Sequence, residues 1–146
     1  MKVIGIGLDL VSIPRIRAMT ERWRDQFLTR LFTEAEREYC LRRAAPYASL
    51  AARFAAKEAV LKALGTGWTG GIRWVDIQVL NDPSGKPVAH VSGRVQEIMA
   101  GLGATRVHLS LAHEADYAIA EAMVTADELC APDDRSDAQA SPFSSR

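Results

Sequence analysis

Arg53 to Gly67 constrains the fold of this chain more than any other stretch, because a helix bearing acid and base on one face runs there into glycines. Positions four apart stack on a helix, so Glu58 and Lys62 are neighbours, flanked by Ala51 and Ala55 on a narrow face expected to stay open. Leu50, Phe54, Leu61 and Leu64 fall on the adjoining face and are expected to bury it against a core. Gly65 suits a left-handed C-cap, and Gly67, Gly70 and Gly71 keep the following loop thin. A carboxylate for a cation, an ammonium for an anion and bare backbone nearby suit a metal-bound phosphate. On a solvated helix a Glu-to-Lys pair adds only about 0.2–0.5 kcal/mol, so the pair alone does not define a site. Lys57 adds to it. It falls between Leu50, Leu61 and Leu64 on the wheel, where a lysine must snorkel out or meet a partner, and it is expected to face an anionic ligand.

The chain has 146 residues, 48% hydrophobic and 25% charged, enough to bury one core. Eighteen basic residues balance eighteen acidic ones, which argues against a whole-protein attraction to nucleic acid or membrane. No apolar run approaches the ~20 residues of a membrane span, and the N-terminal run is too short for a signal peptide, so a cytoplasmic protein is expected. Cys40 and Cys130 are far apart and have no zinc or disulfide spacing.

Along the chain, residues 2–8 read as a buried strand with Asp9 at its end, and Gly5-Ile6-Gly7 lacks the third glycine of a dinucleotide fingerprint. Ser12 and Pro14 start a helix to about residue 24, on which Arg15 and Arg22 share a face, as do Arg17 and Arg24. Thr33 and Glu36 form a capping box for a helix over 34–44, ended by Pro46, and the Glu58 helix follows over 48–64. Residues 74–80 and 87–91 read as a hairpin, 95–102 as a helix, and 106–111 and 117–124 as strands joined by a turn over 112–116. Trp74 and Tyr117 are expected in the core. From about Asp127 the apolar content falls away, and residues 127–146 are expected to form a disordered tail after a single domain over 1–126. An α+β fold results, in which Asp9, Glu58 with Lys62, and the Ser110 to His113 segment come from three separate places. Magnesium takes one or two protein carboxylates and fills its other positions with water and phosphate oxygens, a count that Asp9 and Glu58 meet.

Five segments together resemble the holo-acyl-carrier-protein synthases, the short bacterial 4′-phosphopantetheinyl transferases. They are Gly5-Ile6-Gly7-Leu8-Asp9, Phe32-Thr33-Glu34-Ala35-Glu36, Arg53 to Gly67 with its Lys-Glu-Ala and Gly-Thr-Gly blocks, Asp76-Ile77 with Gly85-Lys86-Pro87, and His108 to His113. They occur in the family's order between residue 2 and about residue 124. The resemblance implies a magnesium-dependent transfer of phosphopantetheine from coenzyme A to a serine of apo-acyl carrier protein, releasing adenosine 3′,5′-bisphosphate, in fatty acid biosynthesis. It implies that Asp9 and Glu58 bind Mg²⁺, that Glu58 and Lys62 are catalytic with Lys62 on the pyrophosphate, and that Lys57, Gly65, Ser110 and His113 contact coenzyme A. It also implies a homotrimer with coenzyme A at the subunit interface. Family members often read Ser-x-Ser-His where this chain has Ser110-Leu111-Ala112-His113, so a hydroxyl is missing at position 112.

The chemistry suits the residues. Phosphoryl-type transfer asks the protein to align donor and acceptor and to neutralise growing charge. The accepting serine belongs to the partner, and its proton goes either to a water on the metal or to Glu58. Arg15, Arg22 and Arg24 are candidate contacts for an acidic carrier protein. A binding module of the same fold without transfer, and a plain interaction domain, are the competing readings.

Overall fold

In the computed structural model, residues 1–128 are described; the expectations for the tail beyond them and for Cys130 lie outside the described residues. The elements in chain order are β1 (Lys2–Ser12), α1 (Ile13–Leu31), α2 (Glu34–Leu41), α3 (Pro46–Ala63), a 3-10 turn (Trp74–Asp76), β2 (Ile77–Asn81), β3 (Pro87–Val91), α4 (Gly93–Gly101), β4 (Arg106–Glu114) and β5 (Tyr117–Ala126). Strands β1, β5 and β4 form an antiparallel sheet in that order, and β2 with β3 forms a separate hairpin. The α+β expectation holds.

Helix α3 lies on the inner face of the three-stranded sheet, and small residues set how closely it approaches. A Cβ on Gly5 would run into the carbonyl oxygen of Ala63, and one on Gly7 into that of Ala59. The two glycines therefore let the helix backbone rest directly on β1, and Ala51, Ala55, Ala56 and Ala59 fill the contact with no exposed surface. This corrects the expectation of an open alanine face: the alanines are small because the sheet is near, and α3 is buried on nearly every side.

The helix ends follow local chemistry. Ser12 caps α1 through the Arg15 N–H at 3.4 Å, and the Ile13 N–H reaches the Asp116 carbonyl at 2.8 Å, tying the helix start to the β4–β5 turn. The Thr33 capping box is present: the Glu36 N–H donates to Thr33 Oγ1 at 3.3 Å, and the Thr33 N–H donates to Glu36 Oε2 at 2.8 Å. Pro46 begins α3 rather than ending α2, since a missing N–H costs nothing in a first helical turn. Helix α1 runs beyond 24 but kinks there, Arg24 having φ 47° and ψ −128°.

Strands β1 and β4 are longer than the patterns suggest. Asp9 sits within β1, and β4 continues through His113 to Glu114, leaving only Ala115 and Asp116 in the turn, with Ala115 at φ 51°. The outer face of the sheet carries Ile6, Leu8 and Leu10 from β1 beside Met123, Glu121 and Ile119 from β5, and then His108, Ser110 and Ala112 from β4. Ile6, Leu8, Leu10 and Ile119 are exposed there, as is Tyr117 at 54%, contrary to its expected place in the core. Trp74 is partly buried and packs on the core. Among the described residues no helix is long and apolar enough to cross a membrane.

Candidate active site

Asp9 projects from the inner face of β1 toward α3, where Glu58 and Lys62 lie one turn apart. Lys62 Nζ donates to Asp9 Oδ1 at 2.9 Å and to the Leu8 carbonyl at 2.9 Å. The Asp9 side chain is only 11% exposed, and its second oxygen, Oδ2, is buried with no partner. Burial and the neighbouring Asp9 push the half-buried Glu58 carboxyl up to about 7, against the opposing pull of Lys62 and Arg15. Its hydrogen bond to Asp9 holds the Lys62 ammonium above its ordinary range. Glu58 lies close enough to Asp9 to feel its charge, and the more exposed Lys62 bonds Asp9. An orphaned carboxylate oxygen beside a carboxyl that resists ionisation is the arrangement a hard divalent cation relieves. Among the described residues no cluster of three His, Cys, Asp or Glu side chains could hold a metal, so further ligands would have to come from substrate and water.

Gly65 takes φ 75° just beyond the α3 C-cap, its N–H bonding the Lys62 carbonyl at 3.0 Å, and the Thr66 N–H bonds the Leu61 carbonyl at 3.2 Å. The loop thus leaves the helix beside Lys62, as the glycine spacing predicts.

Lys57 does not join the site. It is 0% exposed and points to the opposite interior, where Nζ donates to Glu36 Oε2 at 2.8 Å, the Leu31 carbonyl at 2.6 Å and the Trp74 carbonyl at 3.1 Å. Glu36 in turn accepts from the Val79 N–H at 2.7 Å. An ammonium inside an apolar arc found an internal partner, so the expectation that Lys57 faces an anionic ligand is corrected.

His113 lies on β4, not in a turn, and lines a cavity of about 570 Å³ with Arg42, Arg43, Arg53 and Asn81. Arg53 donates to Asn81 Oδ1 at 2.6 Å and Ser49 Oγ at 3.0 Å and lies over the Tyr39 ring at 4.4 Å, yet its buried Nε has no acceptor. The arginines here were missed in sequence; the Arg42-Arg43 pair and Arg53, five positions before Glu58, were the available signal. Ser110 sits away from this cavity, exposed on the outer sheet face opposite Glu121.

The acidic cluster and the basic cavity lie on different sides of α3. Asp9 pairs with Ala120 and Ala120 with Leu111, so Asp9 and the cavity wall stand two strand spacings apart, ~10 Å. Arg53 and Glu58 are separated by about 7.5 Å of helix rise and a ~140° turn. On α1, Arg15 and Arg22 are exposed and Arg22 lies over the Trp23 ring at 5.0 Å, while the kink takes Arg24 off the face predicted to include Arg17. Between the two halves of that helix, Met19, Trp23, Gln26, Phe27 and Arg30 line a groove of about 390 Å³.

Residues 5–122 match the 4′-phosphopantetheinyl transferase superfamily. The chain is 51% identical over 121 residues to the holo-[acyl-carrier-protein] synthase of Desulforudis audaxviator, covering 83% of this chain and 92% of that one. It is 43% identical to the Koribacter versatilis synthase over 84% of this chain and 98% of that one. Solved structures agree: the holo-[acyl-carrier-protein] synthase of Neisseria meningitidis superposes with a TM-score of 0.77 at 33% identity, covering 84% of this chain and 98% of that one. The Helicobacter pylori enzyme in complex with coenzyme A superposes at 0.73 and 32% identity, covering 82% and 99%. With Asp9, the Glu58 helix, β4 and the first half of β5 inside the matched span, the chain belongs to the 4′-phosphopantetheinyl transferase superfamily.

Proposed function

We propose that the cluster of Asp9, Glu58 and Lys62 binds the pyrophosphate of coenzyme A together with Mg²⁺, and that the chain is a holo-acyl-carrier-protein synthase. It transfers 4′-phosphopantetheine from coenzyme A to a serine of apo-acyl carrier protein. The observation that carries the metal and pyrophosphate reading is the unpartnered Oδ2 of Asp9 beside a Glu58 carboxyl raised to about 7, a site short of positive charge.

Asp9 and Glu58 would hold Mg²⁺, which when bound supplies charge neutralisation on the phosphate oxygens. Lys62, more than half exposed and tethered by Asp9, is placed to swing onto the pyrophosphate and to stabilise charge developing on the leaving oxygen. Buried alanines behind Glu58 keep its helix fixed relative to β1, so the carboxylate needs no rearrangement to meet the donor. Glu58 is also placed to accept the serine proton once ionised.

Arg53, with its orphaned Nε, and the flanking Arg42, Arg43 and His113 suit a further phosphate of coenzyme A. Because that cavity and the acidic cluster open on different sides of α3, one copy does not present both ends of the site together. Association through the exposed apolar sheet face, as a trimer, brings the basic cavity of one copy toward the carboxylates of the next. Arg15 and Arg22, beside the Trp23 groove, suit an acidic carrier protein with an apolar contact.

Mass spectrometry of apo-acyl carrier protein incubated with this chain, coenzyme A and Mg²⁺ tests the function. A gain of the phosphopantetheine mass on the carrier serine is expected. Coenzyme A binding without any mass gain would favour the non-catalytic module.

A further inference from the structure

The carboxylate pair already holds a cation of its own. Lys62 Nζ donates to Asp9 Oδ1 and to the Leu8 carbonyl, both at 2.9 Å. A lysine ammonium has three N–H groups, so these bonds leave one for solvent or a ligand, on a side chain that is 54% exposed. Asp9 is far more enclosed, with its Oδ2 buried and unpartnered, and its charge disfavours ionisation of the half-buried Glu58. Behind the pair, β1 rests on α3 through Gly5 against the Ala63 carbonyl and Gly7 against the Ala59 carbonyl. Asp9 and Glu58 therefore stand on a closely packed frame, and the half-exposed lysine is the member able to leave.

An ammonium and a divalent ion compete for this carboxylate. Magnesium approaches its oxygen ligands to about 2.0–2.1 Å, so on Asp9 Oδ1, with Nζ at 2.9 Å from the same atom, the two cations would lie no more than ~5 Å apart. Like charges that close in a partly buried site repel strongly. An ion on Oδ2 still shares one negative charge with the ammonium.

We propose that Lys62 is the resident counter-ion of Asp9 and Glu58, and that a divalent ion enters only together with coenzyme A, whose pyrophosphate draws the ammonium off Asp9. This order of binding rests on the coenzyme A and metal reading above and adds a further role for Lys62. The lysine withholds the carboxylates from the free ion, then turns to the phosphates and releases Asp9 Oδ1 to the ion that arrives with them. By linkage the ion and coenzyme A raise each other's affinity by the same factor, and Lys62 contributes to that factor by weakening the binding of the ion alone.

Mn²⁺ serves as the probe, since it takes the same hard oxygen ligands as Mg²⁺ and its free concentration is read from its paramagnetic resonance signal. Titrated without coenzyme A, it is expected to bind Lys62→Met at least about tenfold more tightly than wild type, because the charge is gone and the carboxylates are open. Lys62→Gln repeats the test with a neutral side chain of another shape, and a thermal melt confirms that each variant is folded. Adding Asp9→Asn to Lys62→Met is expected to cancel the gain. Arg15 acts on Glu58 through charge alone, so Arg15→Met is the control for net charge and is expected to change Mn²⁺ affinity less than about threefold. With coenzyme A present, and the Mn²⁺ held by coenzyme A itself subtracted, wild type is expected to bind Mn²⁺ about tenfold or more tightly than without it.

Equal or weaker Mn²⁺ binding by Lys62→Met without coenzyme A would overturn the proposal. A gain that survives Asp9→Asn, or one matched by Arg15→Met, would overturn it too, by showing an ion elsewhere or an effect of net charge. If wild type takes up Mn²⁺ with coenzyme A and Lys62→Met gains nothing without it, only the order proposed here fails. Absence of Mn²⁺ uptake by wild type even with coenzyme A would remove the parent reading of a carboxylate metal site and this proposal with it.

Discussion

Replacing Lys57 by Met tests the reassignment of this lysine from ligand contact to structural centre. The ammonium makes three hydrogen bonds, to Glu36, Leu31 and Trp74, and is 0% exposed. Met keeps most of the volume but removes every donor. The buried Leu31 carbonyl then loses its lysine donor, at roughly 1–3 kcal/mol if no water enters, while the Trp74 carbonyl keeps the Ile77 N–H. Glu36, also 0% exposed, keeps the Thr33 and Val79 N–H groups but loses its countercharge. Breaking one side of a buried pair costs about 3–5 kcal/mol, and that range is adopted for the whole change because the terms overlap. Against a total stability of about 5–15 kcal/mol, this is a large fraction. At roughly 2–4 °C per kcal/mol for a chain of this size, Tm should fall by roughly 10 °C. Urea unfolding of wild type, Lys57→Met, Glu36→Gln and the double variant should give a double variant less damaged than the two singles summed, by about 0.5–3 kcal/mol. Folded Lys57→Met should keep its KM for coenzyme A within about twofold, because the ammonium is 0% exposed and bonded only to groups of the interior. Strict additivity, or a Lys57→Met protein as stable as wild type with a raised coenzyme A KM, would refute the reasoning.

The remaining predictions concern the site and the sheet. Lys62→Ala should mainly lower kcat, whereas Arg15→Glu should raise the KM for carrier protein with strong salt dependence; steady-state kinetics at two ionic strengths separate the two. Because the Glu58 carboxyl is raised to about 7, the folded metal-free protein binds more protons than the unfolded chain between about pH 4.5 and 7. Its stability should therefore fall as pH rises through that window and level off above it, and Glu58→Gln should remove the fall in pH-dependent melts. Leu8→Arg, on the outer sheet face beside Glu121, should leave the monomer folded but reduce association in sedimentation and lower turnover.

Much of this was legible because local chemistry decided it. The Thr33 capping box, the left-handed Gly65 and the β2–β3 hairpin depend on a few neighbouring residues and formed as the pattern dictates, except that residues 74–76, expected to open the first strand, form a 3-10 turn closed by Asp76 on the Arg73 N–H. Asp9 and Glu58 were legible as a pair through residue type and family resemblance, and the structure brings them together across β1 and α3. The misread features were set by distant packing. Ala51 and Ala55 look like an open face until β1 lies along α3, where Gly7 meets Ala59 and Gly5 meets Ala63, 52 and 58 positions away in sequence. Lys57 looks like a ligand contact until Glu36 arrives from another helix. The cavity around Arg53 draws on α2, α3, β3 and β4, so no single stretch of sequence announces it. Tyr117 carries a core-like ring but stands on the outer sheet face, because strand alternation puts Ala118 inward.

The central claim is that Asp9 and Glu58 hold Mg²⁺ for the coenzyme A pyrophosphate, and calorimetric titration of coenzyme A into the protein, with Mg²⁺ or with EDTA, tests it directly. Wild type should bind coenzyme A more tightly in Mg²⁺. Asp9→Asn and Glu58→Gln, shown to be folded by circular dichroism, should lose that enhancement, by about tenfold or more in affinity. An unchanged Mg²⁺ enhancement in both variants would contradict the account and remove the carboxylate pair from the metal site.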